Sequence, residues 1–355
     1  LEAQIAALFE GLEPPLAQVE SPEALTQSVE SALDQLSADS IPADRALARQ
    51  LSFDLSSFRF VLDLYDAQYR TLYQGGKTTR TITLYCTDAA GKLAEVYKKC
   101  RSEIFFSATL SPFAFYRDLC GVKAETPFLA LPSPFPPENL SVFHLPLDTR
   151  FAAREATLHA VCESICAFVR AREHGNYLVF APSHAYLSKL SALLRELLPE
   201  AAFVEQSPKM DDEARAAFLA QFLPDVQGIT IGLAVMGGVF AEGIDLPAER
   251  LCGAVVVGVG LPQVCLERDV LREAYEETYQ SGFRYAYQYP GMSKVLQAAG
   301  RIIRTETDRG ALLLIDTRYS LADYRALLPP HWTIRRVRHK GELSQGLAQF
   351  WQEQP

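Results

Sequence analysis

No apolar run in this chain of 355 residues approaches the roughly 18 residues a membrane-crossing helix needs, so no transmembrane helix is expected. Basic residues are not in excess. The 34 Lys+Arg stand against 43 Asp+Glu, for a formal charge of −9, which argues against a protein that coats nucleic acid by bulk electrostatics. A narrow basic track remains compatible with that balance. Its candidate is Arg335-Arg336-Val337-Arg338-His339-Lys340, although such a run more commonly forms a solvated strand edge. The seven cysteines are odd in number and lack the regular spacing of a disulfide scaffold, which favours a reducing compartment and makes the cytoplasm the expected location. Cys162 and Cys166 are the one close pair, and no second pair completes a four-ligand set. They are expected to pack in a core as small hydrophobes, and no metal site is expected. The chain opens on Leu-Glu-Ala-Gln, with neither an initiator methionine nor a basic-then-apolar leader, and reads as part of something longer.

Two nucleotide motifs are imitated but absent. Gly75-Gly76-Lys77-Thr78 looks like the end of a phosphate-cradling loop, yet the first glycine of that loop falls on Thr71. The residues after it, Thr79 to Cys86, alternate as a strand, whereas the loop must feed a helix. The reading is a turn into a strand. Asp211-Asp212-Glu213-Ala214 resembles a metal-binding Asp-Glu box without the apolar strand that precedes one, and is expected to be a helix N-terminus, where carboxylates are favoured.

Apolar residues make up 48% of the chain and charged residues 22%, enough to bury a core in two or three domains. Residues 1 to 75 read as helical: Ile5 to Phe9 and Leu25, Val29, Leu33, Leu36 recur at helical spacing, and Ser21 with Pro22 suits a helix start. A longer helix is expected from about Ala43 to Tyr73. A short apolar strand is expected at Glu103 to Leu110. From Asn139 onward the rhythm becomes strand–helix–strand, with strands at Ser141–Leu145, Tyr177–Phe180, Ala202–Glu205, Ile229–Val235, Gly253–Val259 and Ala311–Asp316. Continuous apolar strands indicate a parallel sheet covered on both faces, whose ligand sites lie at the C-terminal strand ends.

The stretch with the most chemistry runs from Gln297 to Gly310. Pro290 and Gly291 open a helix, and Gln297, Arg301 and Arg304 are spaced to share one of its faces. Two guanidiniums with fixed forks of donors suit a phosphate whose charge grows during transfer. Gly300, immediately before Arg301, permits a close approach. The pattern Gln-x-x-Gly-Arg-x-x-Arg resembles the sixth motif of superfamily 2 helicases, and the fuller string YPGMSKVLQAAGRIIRTETDRG resembles the XPD/DinG (Rad3-related) DNA helicases. Glu103 to Pro112, with Ser107-Ala108-Thr109, is similar to the third motif, which couples nucleotide to DNA. Phe180-Ala181-Pro182-Ser183 is similar to the fourth. Met236-Gly237-Gly238 through Glu242-Gly243-Ile244-Asp245 is similar to the fifth, with Val239 where relatives have a lysine.

The resemblance implies an α/β fold: a RecA-like parallel sheet with helices on both faces, preceded by an α-helical region. It implies residues 1–75 as the end of an arch-like insertion, 76–125 as the tail of a first motor domain, and 126–355 as the second RecA-like domain. Arg301 and Arg304 are then catalytic. Gln297, Gly300, Gly243 and Asp245 line the nucleotide, Ser107, Ala108 and Thr109 couple, and Ser183, Gly237 and Gly238 touch DNA. ATP and Mg²⁺ serve the full-length enzyme, and any iron–sulfur cluster belongs to a region this chain lacks. Expected partners are single-stranded DNA, the missing first motor domain, and replication or repair proteins. The alternatives are a non-catalytic interaction module that keeps the RecA-like shape, and an unrelated α/β enzyme such as a nucleotide-sugar transferase. Within these residues no complete acid–base set supports the last.

Overall fold

The structure is a computed structural model and describes residues 14–18, 23–38, 45–75, 79–224, 226–238, 240 and 251–353. It divides into two compact units. The first comprises residues up to Phe105 with Ala114–Thr126 and Gln263–Ala286; the second comprises Phe106–Phe113, Pro127–Pro262 and Tyr287 to the end.

In the first unit, β1 (Leu16–Gln18), β2 (Tyr69–Gly75) and β3 (Arg80–Cys86) form an antiparallel sheet in that order. Leu16 lies opposite Tyr73, and Tyr69 opposite Cys86. The expected helix from Ala43 to Tyr73 is therefore corrected: helix Arg45–Asp63 stops early, and the chain returns as β2. Aromatic and β-branched residues such as Tyr69, Thr71 and Tyr73 suit a pleated, half-buried surface, and β3 supplies the ladder they need. Gly76, Lys77 and Thr78 lie outside the described residues, as do Ile5 to Phe9, Ser21 and Pro22. Arg80–Cys86 is a strand, as its alternation predicts. Leu25 and Val29 of helix Glu23–Ala38 meet Leu55 of helix Arg45–Asp63 in a small cluster that also takes in Phe58 and Ile82.

Helix Leu266–Tyr279 joins this unit through polar ties. Gln74 Nε2 donates to Glu267 Oε1 at 2.8 Å, and the hydroxyls of Tyr279 and Tyr285 donate to Asp88 and Asp118 at 2.7 and 2.6 Å. The rings of Tyr279 and Tyr285 stack with centroids 4.8 Å apart. Tyr285 and Tyr287 are buried, on a π-helical turn spanning Arg284–Gln288.

The expected strand from Glu103 to Leu110 does not form. Ile104 and Phe106 are 84% and 88% exposed, and no described strand pairs with the segment. An apolar segment without a ladder partner gains nothing from the extended register.

The second unit is built on β4 (Leu140–Leu145), β5 (Gly175–Ala181), β6 (Ala202–Glu205), β7 (Ile229–Val235), β8 (Gly253–Val257), β9 (Gly310–Ile315) and β10 (Ile334–Arg336). They form one sheet in the order β10-β4-β9-β8-β5-β7-β6, every adjacent pair parallel. The sequence shows why. Gly-Ala-Leu-Leu-Leu-Ile and Gly-Ala-Val-Val-Val are apolar on both faces and are buried throughout. One face packs under helices Arg154–Val169, His184–Leu197 and Lys340–Gln352 through Val161, Ile165, Leu187, Leu343 and Leu347. The other packs under helices Asp212–Ala220 and Tyr289–Ala299 through Phe218, Met292 and Val295. Cys162 and Cys166 sit buried in the first of these cores, and burial pushes the Cys162 thiol up to about 12, leaving it protonated and inert. Asp211 caps helix Asp212–Ala220, accepting from Ala214 N at 2.8 Å, as its sequence predicts.

Candidate nucleotide and nucleic-acid site

The arginine segment is held differently from the expected helix. Helix Tyr289–Ala299 ends at Gly300, and its last bonds tighten: Arg301 N donates to Ala298 O at 3.4 Å and Ile302 N to Ala299 O at 3.2 Å. Gln297 alone is helical, so the shared helix face of Gln297, Arg301 and Arg304 is corrected. Ile302 explains the break. Its side chain is buried against Gly310, where a Cβ would stand 2.2 Å from Ile302 Cγ2, and a continued helix would pull it off that site.

Asp308 then fixes the loop. Its buried carboxylate accepts from Arg304 N at 2.6 Å, from Thr305 N at 2.8 Å and from Thr305 Oγ1 at 2.8 Å. Asn139 Nδ2 donates to Glu306 O at 2.9 Å and pins the far side. Backbone amides that a helix would have satisfied find a side-chain acceptor instead. Arg301 and Arg304 are half-buried on this rigid turn. Beside them Gln297 Oε1 is enclosed, without a hydrogen-bond partner among the described residues. Asp308→Ala is expected to lower stability by about 2 kcal/mol, because it strips the acceptor from enclosed donors. Hydrogen exchange should accelerate at the Arg304 and Thr305 amides. Unchanged protection there would show that the carboxylate does not hold the turn.

The structure brings the coupling segment to the arginine segment. Ala108 and Thr109 share a cavity of about 270 Å³ with Gly300, Ile303, Ser133 and Trp332. Ser107 and Thr109 form a tight hydroxyl turn, with Thr109 N donating to Ser107 Oγ at 3.1 Å. Gly300 is exposed on this cavity, and its backbone is right-handed, so it needs no glycine-only conformation. Nothing beyond the last helical turn crowds it.

The predicted nucleic-acid contacts lie at the other end of the strands. Ser183 follows β5 and caps helix His184–Leu197, accepting from Tyr186 N at 3.3 Å. Gly237 and Gly238 follow β7, and Met236 N donates to Ala181 O at 2.9 Å, so the two loops leave one sheet edge together. The arginine segment instead precedes β9. These two groups of residues are therefore brought to opposite ends of the sheet. Gly237 has φ +73°, and a Cβ there would lie 2.7 Å from Lys294 Cδ and Cε, which sets a lysine against this turn. Gly243 and Asp245 lie outside the described residues. The run Arg335 to Lys340 takes the form expected of it, with Arg335 and Arg336 exposed on edge strand β10.

Sequence reading misses Asp308, Asn139 and Lys294. It also misses the cluster at the C-terminal strand ends around Asp316, which is fully buried. Arg318 donates to Asp316 from its backbone N at 2.7 Å, from Nε at 2.8 Å and from Nη2 at 2.7 Å, and Thr149 Oγ1 donates to the same carboxylate. His144 Nε2 lies 2.9 Å from Asp316 O, and the Tyr319 hydroxyl donates to Gly258 O at 2.7 Å. A buried Asp at the end of an apolar strand is the available signal. Its partners, at Thr149 and Arg318, have none.

The sequence family of helicase C-terminal domains matches residues 165–334. That stretch is a helicase C-terminal domain. The chain is a distant homologue of the Rad3-family helicases, and the likeness extends over most of its length. It is 24% identical over 279 residues to the XPD helicase subunit of general transcription and DNA repair factor IIH from Dictyostelium discoideum, covering 70% of this chain and 34% of that protein. It is 25% identical to the ATP-dependent DNA helicase CHL1 of Coccidioides immitis, over 80% and 38% of the two chains. It is 27% identical to human regulator of telomere elongation helicase 1, over 78% and 25%. The chain thus spans roughly a quarter to two fifths of these relatives' length. The fold is shared with solved XPD structures: an apo XPD superposes with TM-score 0.60 at 17% identity over 90% of this chain and 63% of that one, and Xpd4 of S. tokodaii with 0.58 at 12% identity over 95% and 64%. The seven-stranded unit is RecA-like, and a small antiparallel and helical region precedes it.

Proposed function

We propose that this chain is the C-terminal motor half of an ATP-dependent DNA helicase that translocates on single-stranded DNA and unwinds duplex in repair or replication. The observation that carries the reading is the arginine turn: Arg301 and Arg304 are half-buried on a loop fixed by Asp308, and their neighbours Gly300 and Ile303 line a cavity with Ala108 and Thr109. ATP and Mg²⁺ would supply the phosphoryl chemistry and be held mainly by a phosphate-loop domain outside this chain. Arg301 and Arg304 fit the phosphate side, because their forked donors match oxygens whose charge grows in transfer. Exposed Phe106, Phe128, Leu129 and Leu131 support a neighbouring domain that would cover them. Thr109, on the shared cavity, would pass closure around nucleotide to the DNA-facing loops.

Ser183, Gly237 and Gly238 would follow the DNA backbone. Lys294 is set against Gly237, while the chain's charge of −9 is repulsive. This chain alone should bind single-stranded DNA at the weak end of non-specific affinity, about 10⁻⁴ M, with a shallow salt dependence because few counterions are released. Titration of labelled single-stranded DNA at two salt concentrations tests this. Tight binding with a steep slope would contradict the track and point to Arg335–Lys340.

A further inference from the structure

A cavity of about 550 Å³ lies at the N-terminal strand ends, lined among others by Arg172, Cys252, Thr307, Arg309 and Trp351. No role in the motor reading uses it. Its two arginines are cations without a carboxylate: neither Arg172 nor Arg309 forms an ion pair among the described residues. Both are instead held by aromatic rings. The Arg172 guanidinium lies 4.7 Å from the Trp351 ring centre, and that of Arg309 lies 4.4 Å from Phe350 and 5.8 Å from Trp351. A cation–π contact of this kind does not neutralise a guanidinium and does not use its N–H donors as a carboxylate would.

Those donors are mostly unspent. Arg172 Nη1 donates to Cys252 Sγ at 3.3 Å, and Arg309 Nη2 donates to Phe350 O. Arg309 Nε is enclosed without any acceptor among the described residues. Asp308, the acid on the cavity wall, has both carboxylate oxygens engaged by Arg304, Thr305 and the turn it holds. An enclosed, unmatched donor beside unneutralised charge is costly unless an acceptor arrives.

We propose that this cavity binds a small oxyanion, a phosphate- or carboxylate-bearing molecule, with Arg172 and Arg309 as its ligands and Thr307 as a hydroxyl donor. The volume falls within the range of small-molecule sites, roughly 300 to 1,000 Å³. It leaves room for more than an inorganic ion. Oxygen acceptors match guanidinium edges in two parallel bonds, which a neutral ligand would not. Ordered water would satisfy the same donors without neutralising them, and is the competing occupant.

The experiment is calorimetric titration of the chain with inorganic pyrophosphate and, separately, with citrate. The proposal expects saturable one-to-one binding of at least one probe, and the tighter of the two names the ligand's class. Arg172→Gln and Arg309→Gln should each weaken it about tenfold or more, while Arg335→Gln, on an exposed edge strand, should leave it unchanged. A second readout does not depend on how well the variants fold. In the wild-type chain the probe should slow alkylation of Cys252, followed peptide by peptide, and leave exposed Cys100 and Cys265 unaffected. Absence of binding by both probes, or equal weakening by Arg335→Gln, overturns the proposal in favour of water.

Discussion

Arg304→Ala in the full-length protein is expected to lower DNA-stimulated ATP turnover on the order of 10³-fold, the loss typical of an arginine that stabilises charge on a transferring phosphate. The structure explains why this variant should remain folded. Asp308 grips the backbone N–H of residue 304, which alanine retains, so the turn keeps its shape while the guanidinium is removed. The substitution therefore separates chemistry from architecture. Thermal unfolding of the variant should be close to wild type while turnover collapses. Normal turnover would remove Arg304 from the phosphate site, and a collapse of both would assign it a structural role.

The second large effect concerns stability. Asp316→Ala is expected to cost about 3 to 5 kcal/mol, because it leaves the Arg318 guanidinium in a largely enclosed site without its counter-charge. The Arg318 side chain is 18% exposed and Asp316 is 0% exposed, so water cannot replace the carboxylate cheaply. Thr149 loses its acceptor at the same time. Urea unfolding followed by fluorescence measures the loss. A drop below about 1 kcal/mol would mean that solvent reaches Arg318 and that the pair behaves like a surface ion pair. Exposed pairs such as Arg215–Asp212 serve as the internal contrast.

Legibility in the sequence depends on whether a residue's role is local. Strands β4 to β9 of the second unit are legible because each is a short, largely apolar run bounded by glycine or polar residues, and a strand buried on both faces leaves that pattern by itself. Asp211 is legible as a cap for the same reason: its partner, Ala214 N, lies three residues on. The differences arise where distant residues decide. Tyr69–Gly75 reads as a continuation of the preceding helix, and only its pairing with β3 makes it a strand. Glu103–Leu110 reads as a strand, although the described chain provides no ladder for it. Spacing of three favours one helix face through Arg304. The burial of Ile302 on Gly310 and the grip of Asp308 break that helix after Ala299. In the candidate site, residue types are legible and positions are not: spacing suggests that Gln297, Arg301 and Arg304 share one helix face, whereas the helix ends at Ala299 and the two arginines stand on the turn beyond it.

If this chain's arginines complete a nucleotide site whose phosphate loop lies elsewhere, ATP hydrolysis must depend on the rest of the protein. Steady-state turnover, with and without single-stranded DNA, measured side by side for the full-length protein and for this chain, tests that dependence directly. The expected result is DNA-stimulated turnover by the full-length protein and none above background by this chain. Turnover by this chain at the full-length rate would contradict it.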